Sequence, residues 1–359
     1  MSTQVTNYHC PNCNGPLQFG AASGKLECEY CSGSFTVQEM EALNQETAAG
    51  KEDDNTQWDT SHLSWDWGED CDKMRAYECP SCGARLICDE TTAATACPYC
   101  GNPAVVQSQF QGDLKPDYII PFSTTKEQAE QALRKHYKGK FLLPKAFRDE
   151  NRIQEIRGIY VPFWLFDGEV DADIRYRATR KHIHRRGDEE IIVTDHYIVR
   201  RAGTFAFERV PVDASTKMPD NHMDSIEPFS YEALKDFSMA YLPGFLADKF
   251  DVDVDECAVR ADRRCTQSTV EALRATVFGY DTCITQWEHI RIHRGTVHYA
   301  LLPVWMLNTK WKDKEYLFAM NGQTGRLVGN LPIHWGKFWG LFAAISLPLM
   351  ALMSYFMLF

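Results

Sequence analysis

The stretch Tyr77–Asn102, YECPSCGARLICDETTAATACPYCGN, decides the fold of this chain. Cys79 and Cys82 form one C-x2-C pair, and Cys97 and Cys100 form a second after a spacer of fourteen residues. Four thiolates on two tight turns are the ligand set of a tetrahedral structural zinc site, in which each sulfur lies about 2.3 Å from the ion. The spacing therefore predicts a zinc ribbon with one short hairpin between its two cysteine pairs.

The same pattern occurs sixty-nine residues upstream. The four cysteines of this copy have the same spacing and are Cys10, Cys13, Cys28 and Cys31. Tyr8 and Pro11 occupy the places of Tyr77 and Pro80. We therefore predict two ribbons and two structural Zn2+ ions. A ribbon of about thirty residues buries too little apolar surface to fold alone, so metal binding supplies its folding free energy, on the order of 10–16 kcal/mol.

The 359 residues predict an α+β protein in five segments. These are a first ribbon at 1–38, an acidic linker at 39–72, a second ribbon at 73–108, a duplicated α+β domain at 109–335 and a transmembrane helix at 338–359. Most of the formal net charge of -11 lies in the linker. The linker also carries Trp58, Trp65 and Trp67, although disordered acidic segments normally lack large aromatic residues. We expect these indoles to pack onto the second ribbon, and a short docking motif is the alternative.

Two capping boxes predict the helices of the α+β domain. Thr124 and Glu127 have the spacing of a capping box before an amphipathic pattern that ends near Gly139. Ser268 and Glu271 have the same spacing and predict a further helix.

Alternating apolar residues predict the strands of this domain. Residues 157–180 have the pattern of a strand pair, and 189–212 have the pattern of two strands around a turn at Ala202–Gly203. The domain should therefore contain an antiparallel sheet beside its helices.

Two short patterns occur twice in the domain. Asp117–Ser123, with the pattern D-x-I-x-P-F-S, returns as Asp224–Ser230, and Pro162–Phe166 returns as Pro303–Leu307. A helical pattern follows each copy of the first motif, over 234–241 in the second case. We therefore predict a duplicated α+β unit.

Residues 338–359, FWGLFAAISLPLMALMSYFMLF, contain no charge. As a helix they would span about 33 Å, which suffices for a hydrocarbon core of about 30 Å. Trp335 and Trp339 lie where indoles favour the membrane interface, and Lys337 precedes the run. We expect a single C-terminal anchor in the cell membrane with the bulk of the chain in the cytoplasm. Thiols at zinc spacing and an N-terminus without a signal-peptide core favour the same compartment.

Four stretches resemble the bacterial TFIIB-type zinc-ribbon-containing proteins, which are often labelled replication-restart (primosomal) helicases. These stretches are YECPSCGARLICDETTAATACPYCGNPAVV, KPDYIIPFSTTKEQAEQALRKHYKGKFLLPKAF, IYVPFWLFDG and YALLPVWMLN. The resemblance covers about residues 75–335, and its most specific part is the junction between the second ribbon and the helix that follows. It implies zinc and says little about catalysis.

The sequence argues against the motor activity that this label suggests. A helicase motor needs the phosphate cradle G-x-x-x-x-G-K-[ST]. The Gly-Lys pairs begin at Gly24, Gly50, Gly139 and Gly336, and none is followed by Ser or Thr. Catalytic patterns such as G-x-S-x-G, H-E-x-x-H and the dinucleotide fingerprint are also absent from the sequence. We therefore expect no enzymatic activity.

The cysteines outside the ribbons lack a neighbouring general base in the sequence. Cys257, Cys265 and Cys283 have no adjacent motif that would pair them with one. We expect them to be buried structural thiols.

The run Arg175–Arg186, RYRATRKHIHRR, is the candidate for anion binding. Its cationic residues are Arg175, Arg177, Arg180, Lys181, Arg185 and Arg186. The competing interpretation is a solvated hairpin whose charge is balanced by Asp188, Glu189 and Glu190. Anionic lipid headgroups suit a membrane-tethered protein better than DNA does. The segment His289–His298 alternates like a strand without cysteines or carboxylates at metal spacing, so we expect a surface there and not a site.

These observations favour a membrane-anchored, cytoplasm-facing adaptor or scaffold for protein partners that the sequence does not identify. A nucleic-acid-binding ribbon protein without motor activity is the alternative, and salt-dependent oligonucleotide binding would support it. A third interpretation is an enzyme with a cleft in the α+β domain, which would require a deep polar pocket.

Overall fold

The chain divides into two units, residues 1–56 and 57–359. The computed structural model describes residues 17–20, 24–28, 33–39, 57–68, 73–90, 92, 96–103, 105–108, 114–144, 147, 155–186, 189–311 and 314–358. Helices and a large sheet both occur in this part of the chain, which confirms the α+β class.

The described part of the first unit is a three-stranded antiparallel sheet. Its strands are β1 (Leu17–Gly20), β2 (Lys25–Cys28) and β3 (Ser34–Phe35). β1 and β2 form a hairpin in which Leu17 lies opposite Cys28. Gly24 closes the turn at a φ of 66°, which glycine adopts without a steric penalty. A hairpin thus lies between the two cysteine pairs of the first ribbon, where the spacing predicted one.

The described residues of the second unit include eleven strands that form one sheet. The strands are β4 (Met74–Glu78), β5 (Arg85–Asp89), β6 (Val106–Ser108), β7 (Tyr118–Ile119), β8 (Arg157–Arg186), β9 (Glu189–Asp213), β10 (Lys235–Asp236), β11 (Leu246–Asp248), β12 (Thr282–Trp311), β13 (Lys314–Asn321) and β14 (Leu327–Gly329). The α-helices are α1 (Lys126–Tyr137), α2 (Asp220–Ile226), α3 (Val254–Ala275) and α4 (Trp335–Leu358).

β8 and β12 form the centre of the sheet and pair antiparallel. β7 adds to β12 and β11 adds to β8, both in parallel. The run IYVPFWLF, residues 159–166 of β8, is buried throughout. A continuous apolar run is expected for a strand that is covered on both faces. The second ribbon and α2 contribute to the core cluster on one face, while α3 and Trp67 contribute to the cluster on the other.

The second ribbon belongs to the same sheet as the α+β domain. β5 pairs antiparallel with β11, with Ile87 opposite Ala247 and Leu86 opposite Asp248. Leu86 is fully buried in one cluster with Ile159 of β8. Because they share a sheet and a core, we expect the ribbon and the domain to unfold together.

The three linker tryptophans have different environments. Trp67 is buried in a cluster that contains Met74 of the second ribbon as well as residues of the α+β domain, and its ring centroid lies 5.6 Å from that of Phe237. Trp58 packs instead on β8, where its ring centroid lies 4.8 Å from that of Phe166. Trp65 is exposed. Trp58 and Trp67 therefore both pack on the cluster that the second ribbon shares with the α+β domain, and packing on the ribbon alone stays a prediction.

Beyond the centre of the sheet, three strands continue as an arm, with β8 between β9 and β12. The arm consists of residues 168–186 of β8, 189–207 of β9 and 282–294 of β12. One face of this arm packs against α3, where Tyr176 and Leu273 are buried in one cluster. We call the other face of the arm its open face.

The strands of the arm are longer than the sequence predicted. Residues 157–180 form part of one strand and not a strand pair. Ala202 and Gly203 lie inside β9 opposite Asp173 and Ala172, where we expected a turn. The turn prediction was wrong because the cross-strand pairing with β8 continues on both sides of Gly203 and overrides the local preference of the glycine.

The cap of α1 also differs from the prediction. Thr125 is the N-cap and forms the capping box with Gln128, one residue later than the predicted pair of Thr124 and Glu127. The Thr124 hydroxyl donates instead to the carbonyl oxygen of Gly322 at 2.7 Å. Thr124 therefore joins α1 to the sheet.

Both copies of the second repeated motif, Pro162–Phe166 and Pro303–Leu307, lie in long strands, β8 and β12. The copies of the first motif differ in local structure. Asp117 directly precedes β7, whereas Asp224 lies inside α2. Residues 234–241 contain β10 and a 3-10 turn and form no α-helix. The predicted helix at Ser268 is the second half of α3, which already begins at Val254. An order of strand, helix, long strand and antiparallel strand does occur twice, as β7–α1–β8–β9 and as β11–α3–β12–β13.

The C-terminal helix α4 is long and apolar enough to cross a membrane. Its apolar window is not buried by the rest of the chain, unlike the core helix of a soluble protein. Pro348 lies inside the helix without ending it. The predicted apolar C-terminal helix is thus confirmed.

Candidate metal centre

The four cysteines of the second ribbon converge on one point. The Sγ atoms of Cys79 and Cys100 are 3.6 Å apart, and so are those of Cys82 and Cys97. All four sulfurs lie within 4.8 Å of one another. Sulfur ligands about 2.3 Å from a tetrahedral ion are about 3.8 Å apart. The cluster can therefore hold a metal ion, as its spacing predicted.

Two tight turns produce this convergence. The N–H of Gly83 donates to the Cys79 carbonyl at 2.8 Å, and the N–H of Gly101 donates to the Cys97 carbonyl at 2.9 Å. Gly83 and Gly101 have φ angles of 68° and 72°. A side chain would be strained in this left-handed conformation, which explains why each cysteine pair is followed by glycine.

The thiols of the cluster differ in their readiness to ionise. Burial opposes ionisation of Cys79, but backbone N–H groups of Cys82 and Ser81 donate to its sulfur and lower its pKa to about 7. Burial raises the pKa of Cys82 and of Cys97. Because the thiolate is the species that binds metal, a cation in the cluster would offset this cost.

Three hydrogen bonds hold the second cysteine pair against the α+β domain. The Tyr99 hydroxyl donates to Oδ2 of Asp248 at 2.5 Å. Nη1 of Arg157 donates to the carbonyl oxygen of Ala96 at 2.8 Å, and Nδ2 of Asn308 donates to the carbonyl oxygen of Tyr99. The domain therefore positions one half of the ligand set directly.

Comparison with known proteins places the chain in a family. The uncharacterised protein YdjG of Bacillus subtilis (strain 168) is 36% identical over 342 residues, which cover 95% of this chain and 94% of that protein. The chain belongs to the YdjG family. No family model matches it, so the resemblance to TFIIB-type ribbons stays a prediction. No solved structure matches this YdjG-family chain.

The first ribbon of this YdjG-family protein lies mostly outside the described residues. Cys28 is described and is buried at the end of β2. Cys10, Cys13 and Cys31 lie outside the described residues, so the four-cysteine site of the first ribbon stays a prediction.

The predicted anion-binding residues are divided between the two faces of the arm. Strand alternation places four of them on the open face: Arg175, Arg177, Lys181 and Arg185. Arg180 lies on the other face, where its guanidinium donates to the carbonyl oxygen of Gly279 and lies over the rings of Tyr197 and Tyr280. The side chain of Arg186 lies outside the described part of the chain. Anion binding by the whole set stays a prediction.

The described thiols that do not belong to the four-cysteine sets include three buried ones. Burial raises the pKa of Cys88 and Cys265 to about 11 and that of Cys257 to about 12. Thiols with such pKa values are protonated at neutral pH and react slowly. Cys283 is half-buried in the arm. These environments agree with the structural role that we expected.

A cavity of about 990 Å³ lies beside the start of α1. Its aromatic walls include Phe122, Tyr160, Phe245 and Trp305. Arg157 also lines it, but its Nη1 already donates to the ribbon. Polar and charged residues line the cavity as well, among them Lys126 and Glu155. The enzyme interpretation therefore stays a prediction.

Sequence reasoning missed a second group of candidate metal ligands. His62, Asp117 and His298 place one ligand atom each within 4.8 Å of the others. His298 belongs to the segment for which we predicted a surface and not a site, because no cysteine or carboxylate stands at metal spacing. In the structure Asp167 and Asp117 lie near it. The ligands come from remote parts of the chain, with His62 and His298 separated by 236 positions, so local spacing carries no signal for the group.

Proposed function

We propose that this protein is a membrane-anchored, cytoplasm-facing adaptor. In this proposal α4 crosses the cell membrane, the cysteine clusters hold Zn2+ as a structural ion, and the open face of the arm binds a protein partner. The composition of the open face is the observation that carries the proposal.

Five exposed apolar side chains lie on the open face. They are Ile183, Ile192, Ile198, Ile284 and Trp287, with exposed fractions from 36% to 62%. Ile183 lies directly opposite Ile192, and Ile198 and Ile284 flank Arg177 on its two neighbouring strands. Apolar side chains that share one exposed sheet face are typical of interaction surfaces, whereas single exposed ones are ordinary.

Cationic side chains lie between these apolar ones. The guanidinium of Arg175 lies 5.2 Å from the centre of the Trp287 ring. Arg185 is 82% exposed, and its Nε lies 3.9 Å from Oε1 of Glu190. A face of this kind is complementary to a protein segment that carries both carboxylates and apolar side chains. Nucleic acid is a poorer match, because four of the five apolar side chains are isoleucines and Trp287 alone among them offers bases an aromatic surface for stacking.

The position of the arm favours a protein partner over lipid headgroups. β12 has thirty residues and begins in the arm at Thr282. The chain reaches α4 from the other end of β12, through β13 and β14. At about 3.3 Å per residue, the tip of the arm lies several tens of ångströms from that end. The arm would therefore extend away from the membrane that holds α4.

We also infer that the α+β domain is a duplication. The recurring order of strand, helix, long strand and antiparallel strand supports this interpretation. In this interpretation the second copy consists of β11, α3, β12 and β13, and the repeated motif Asp224–Ser230 lies outside it.

Proximity labelling in cells, followed by binding measurements with a purified partner, tests the adaptor role. The variant Ile183→Ser/Ile192→Ser removes two apolar side chains from the open face. The matched control Ile191→Ser/Val193→Ser changes two exposed neighbours that point to the other face of the same strand. We expect the first variant to lose a subset of labelled proteins and to bind a purified member of that subset about tenfold more weakly or worse, since buried anchors typically contribute more than 1 kcal/mol each.

The control should label the same proteins as the wild type. Equal losses in both variants, or none in either, would remove the support for the open face. Binding of oligonucleotides with a steep salt dependence would favour the nucleic-acid alternative.

A further inference from the structure

Three side chains from separate parts of the second unit direct ligand atoms toward one another. Nε2 of His62 lies 3.1 Å from Nδ1 of His298 and 3.6 Å from Oδ2 of Asp117. Nitrogen and oxygen ligands about 2.0–2.1 Å from a tetrahedral ion are about 3.3 Å apart. The observed separations lie on either side of that value. We propose that His62, Asp117 and His298 form a second metal site, for a divalent transition-metal ion, that is separate from the cysteine cluster.

Backbone hydrogen bonds hold Asp117 and His298 in register. Asp117 donates its N–H to the carbonyl oxygen of Tyr299 at 2.8 Å, and Tyr299 returns its own N–H to Oδ2 of Asp117 at 2.9 Å. The carboxylate therefore stays beside the residue that follows His298. This geometry is built into the junction of β7 with β12 and needs no ion to form.

His62 is brought to the site by a short bridge between the 57–68 segment and β12. The N–H of Asp59 donates to the carbonyl oxygen of Gly295 at 2.9 Å, and the N–H of Val297 donates to the carbonyl oxygen of Asp59 at 3.0 Å. A bond of 2.8 Å from the N–H of Lys115 to the carbonyl oxygen of Ser64 fixes the other side of His62. The segment that the sequence marked as part of an acidic linker thus supplies a ligand.

A carboxylate outside the ligand set orients His298. Nε2 of His298 lies 3.4 Å from Oδ2 of Asp167. A proton on Nε2 would face this carboxylate, which leaves the lone pair of Nδ1 directed at the site. Histidines that bind metals usually have a carboxylate or carbonyl in this position.

The backbone around Asp167 is irregular in a way that serves this contact. Two residues of β9 and two of β12 stand opposite Asp167, so both strands next to β8 carry a bulge at the same level. Arg209 in the β9 bulge has a φ of 56°, rare for a residue with a side chain, and its N–H donates to Oδ1 of Asp167. Gly295 in the β12 bulge lies so close that an added Cβ would be 2.3 Å from the Asp167 carbonyl oxygen. Bulges and strained residues are concentrated at functional sites.

The composition and exposure of the group indicate which ion it would take. Two imidazoles and one carboxylate suit Zn2+ or Fe2+ better than Mg2+ or Ca2+, which favour oxygen ligands. The side chains of His62, Asp117 and His298 are 34%, 21% and 19% exposed. Three protein ligands that remain accessible to water leave at least one position for water or an oxygen-containing ligand. The group therefore resembles an open site, in contrast to the four-sulfur cluster.

Cobalt titration of the full-length protein in detergent tests the proposal. After metal removal by a chelator and reduction of the thiols, Co2+ is added and the bound equivalents are measured by elemental analysis. We expect His62→Gln/His298→Gln to bind one equivalent fewer than the wild type. Its thiolate-to-cobalt absorption should be unchanged, because the cysteine clusters are intact.

The control is His293→Gln, which changes a histidine on the same strand that pairs with Asp171 at 2.8 Å. This variant should bind as many equivalents as the wild type. Asp167→Asn should retain the site but weaken its affinity about 10–100-fold. The single variant His62→Gln, on the 57–68 segment, provides the measurement if changes at His298 prevent folding.

Equal numbers of bound equivalents in the wild type and in a folded His62→Gln variant would overturn the proposal. The three residues would then form a hydrogen-bonded group without an ion. The outcome does not depend on the adaptor role, because neither the open face nor a partner enters the measurement.

Discussion

At the scale of single residues, the two candidate metal groups differ in how far the sequence reveals them. Cys79 and Cys82 are close in sequence, and Gly83 allows the turn that brings their sulfurs together, so local spacing predicts the cluster. His62 and His298 meet only because remote segments pair along β12. No spacing rule applies to such a pair, and reasoning from the local pattern led us to predict a surface at His298.

Asp248 joins the second ribbon to the α+β domain by hydrogen bonds to both. Its Oδ2 accepts from the hydroxyls of Tyr99 and Ser215 at 2.5 and 2.7 Å. Burial raises the pKa of Asp248 to about 7 despite these two donors. The sequence does not predict this role of Asp248, since the role depends on the pairing of β5 with β11.

The first prediction concerns the pH dependence that Asp248 confers. An aspartate in the unfolded chain has a pKa of about 3.9, so between about pH 4 and pH 7 the folded state holds a proton that the unfolded state has released. This contribution to stability is fully present below about pH 4 and is lost as the pH rises to about 7. We expect Asp248→Asn, which cannot ionise, to flatten the fall in unfolding free energy between about pH 4 and pH 7.

Denaturant unfolding at a series of pH values measures this effect as the difference between variant and wild type. Asp236→Asn, at an exposed position on β10, is the control and should follow the wild-type profile. A pH-independent difference between Asp248→Asn and the wild type would show that the carboxyl does not titrate in this range.

At the scale of elements, strands were easier to predict than their ends. The predicted strand structure over residues 157–180 occurs in β8, whose run from Ile159 to Phe166 is buried on both faces. The lengths of β8 and β9 were not predictable, since they depend on partner strands that continue to pair. The cap of α1 was misplaced by one residue because Thr124 and Thr125 both have a suitable hydroxyl, and contact with Gly322 decides between them.

The second prediction compares two glycines that both lie in long strands. Gly295→Ala would place a Cβ 2.3 Å from the Asp167 carbonyl oxygen, and backbone cannot move aside cheaply. At Gly203 the nearest atom to an added Cβ is 3.9 Å away, in the Phe205 ring. We expect Gly295→Ala to lower the unfolding free energy by about 1–3 kcal/mol. We expect Gly203→Ala to change it by less than about 1 kcal/mol, with a gain if reduced freedom of the unfolded chain dominates.

Denaturant midpoints of the two variants provide the measurement. If Gly203→Ala lowers the unfolding free energy as much as Gly295→Ala does, the continuous strand is contradicted and a turn at Ala202–Gly203 is supported.

At the scale of the whole molecule, the division into units differs from the order of the sequence motifs. Two ribbons of matching sequence suggest two similar domains, yet the second ribbon shares a sheet and a core with the α+β domain. Residues 57–68, assigned to the linker by their acidic composition, pack into that core through Trp58 and Trp67. The composition of a segment does not predict its burial, because burial depends on which other parts of the chain pack against it.

The last prediction concerns α4 and the membrane. The helix begins beside α1, where the N–H of His334 donates to the Leu142 carbonyl and Nζ of Lys337 lies 3.2 Å from the carbonyl oxygen of Phe141. The residues that the structure describes do not cover its apolar surface, which is stable in lipid and costly in water. We expect deletion of residues 336–359 to move the protein from the membrane pellet to the soluble fraction. The metal content should be unchanged, because every candidate ligand precedes the deletion.

Pro348→Leu, which keeps the helix apolar, is the matched control and should stay in the pellet. If the full-length protein is released by carbonate extraction, α4 is not an anchor. The adaptor would then act in solution, and α4 would need a protein groove to cover it.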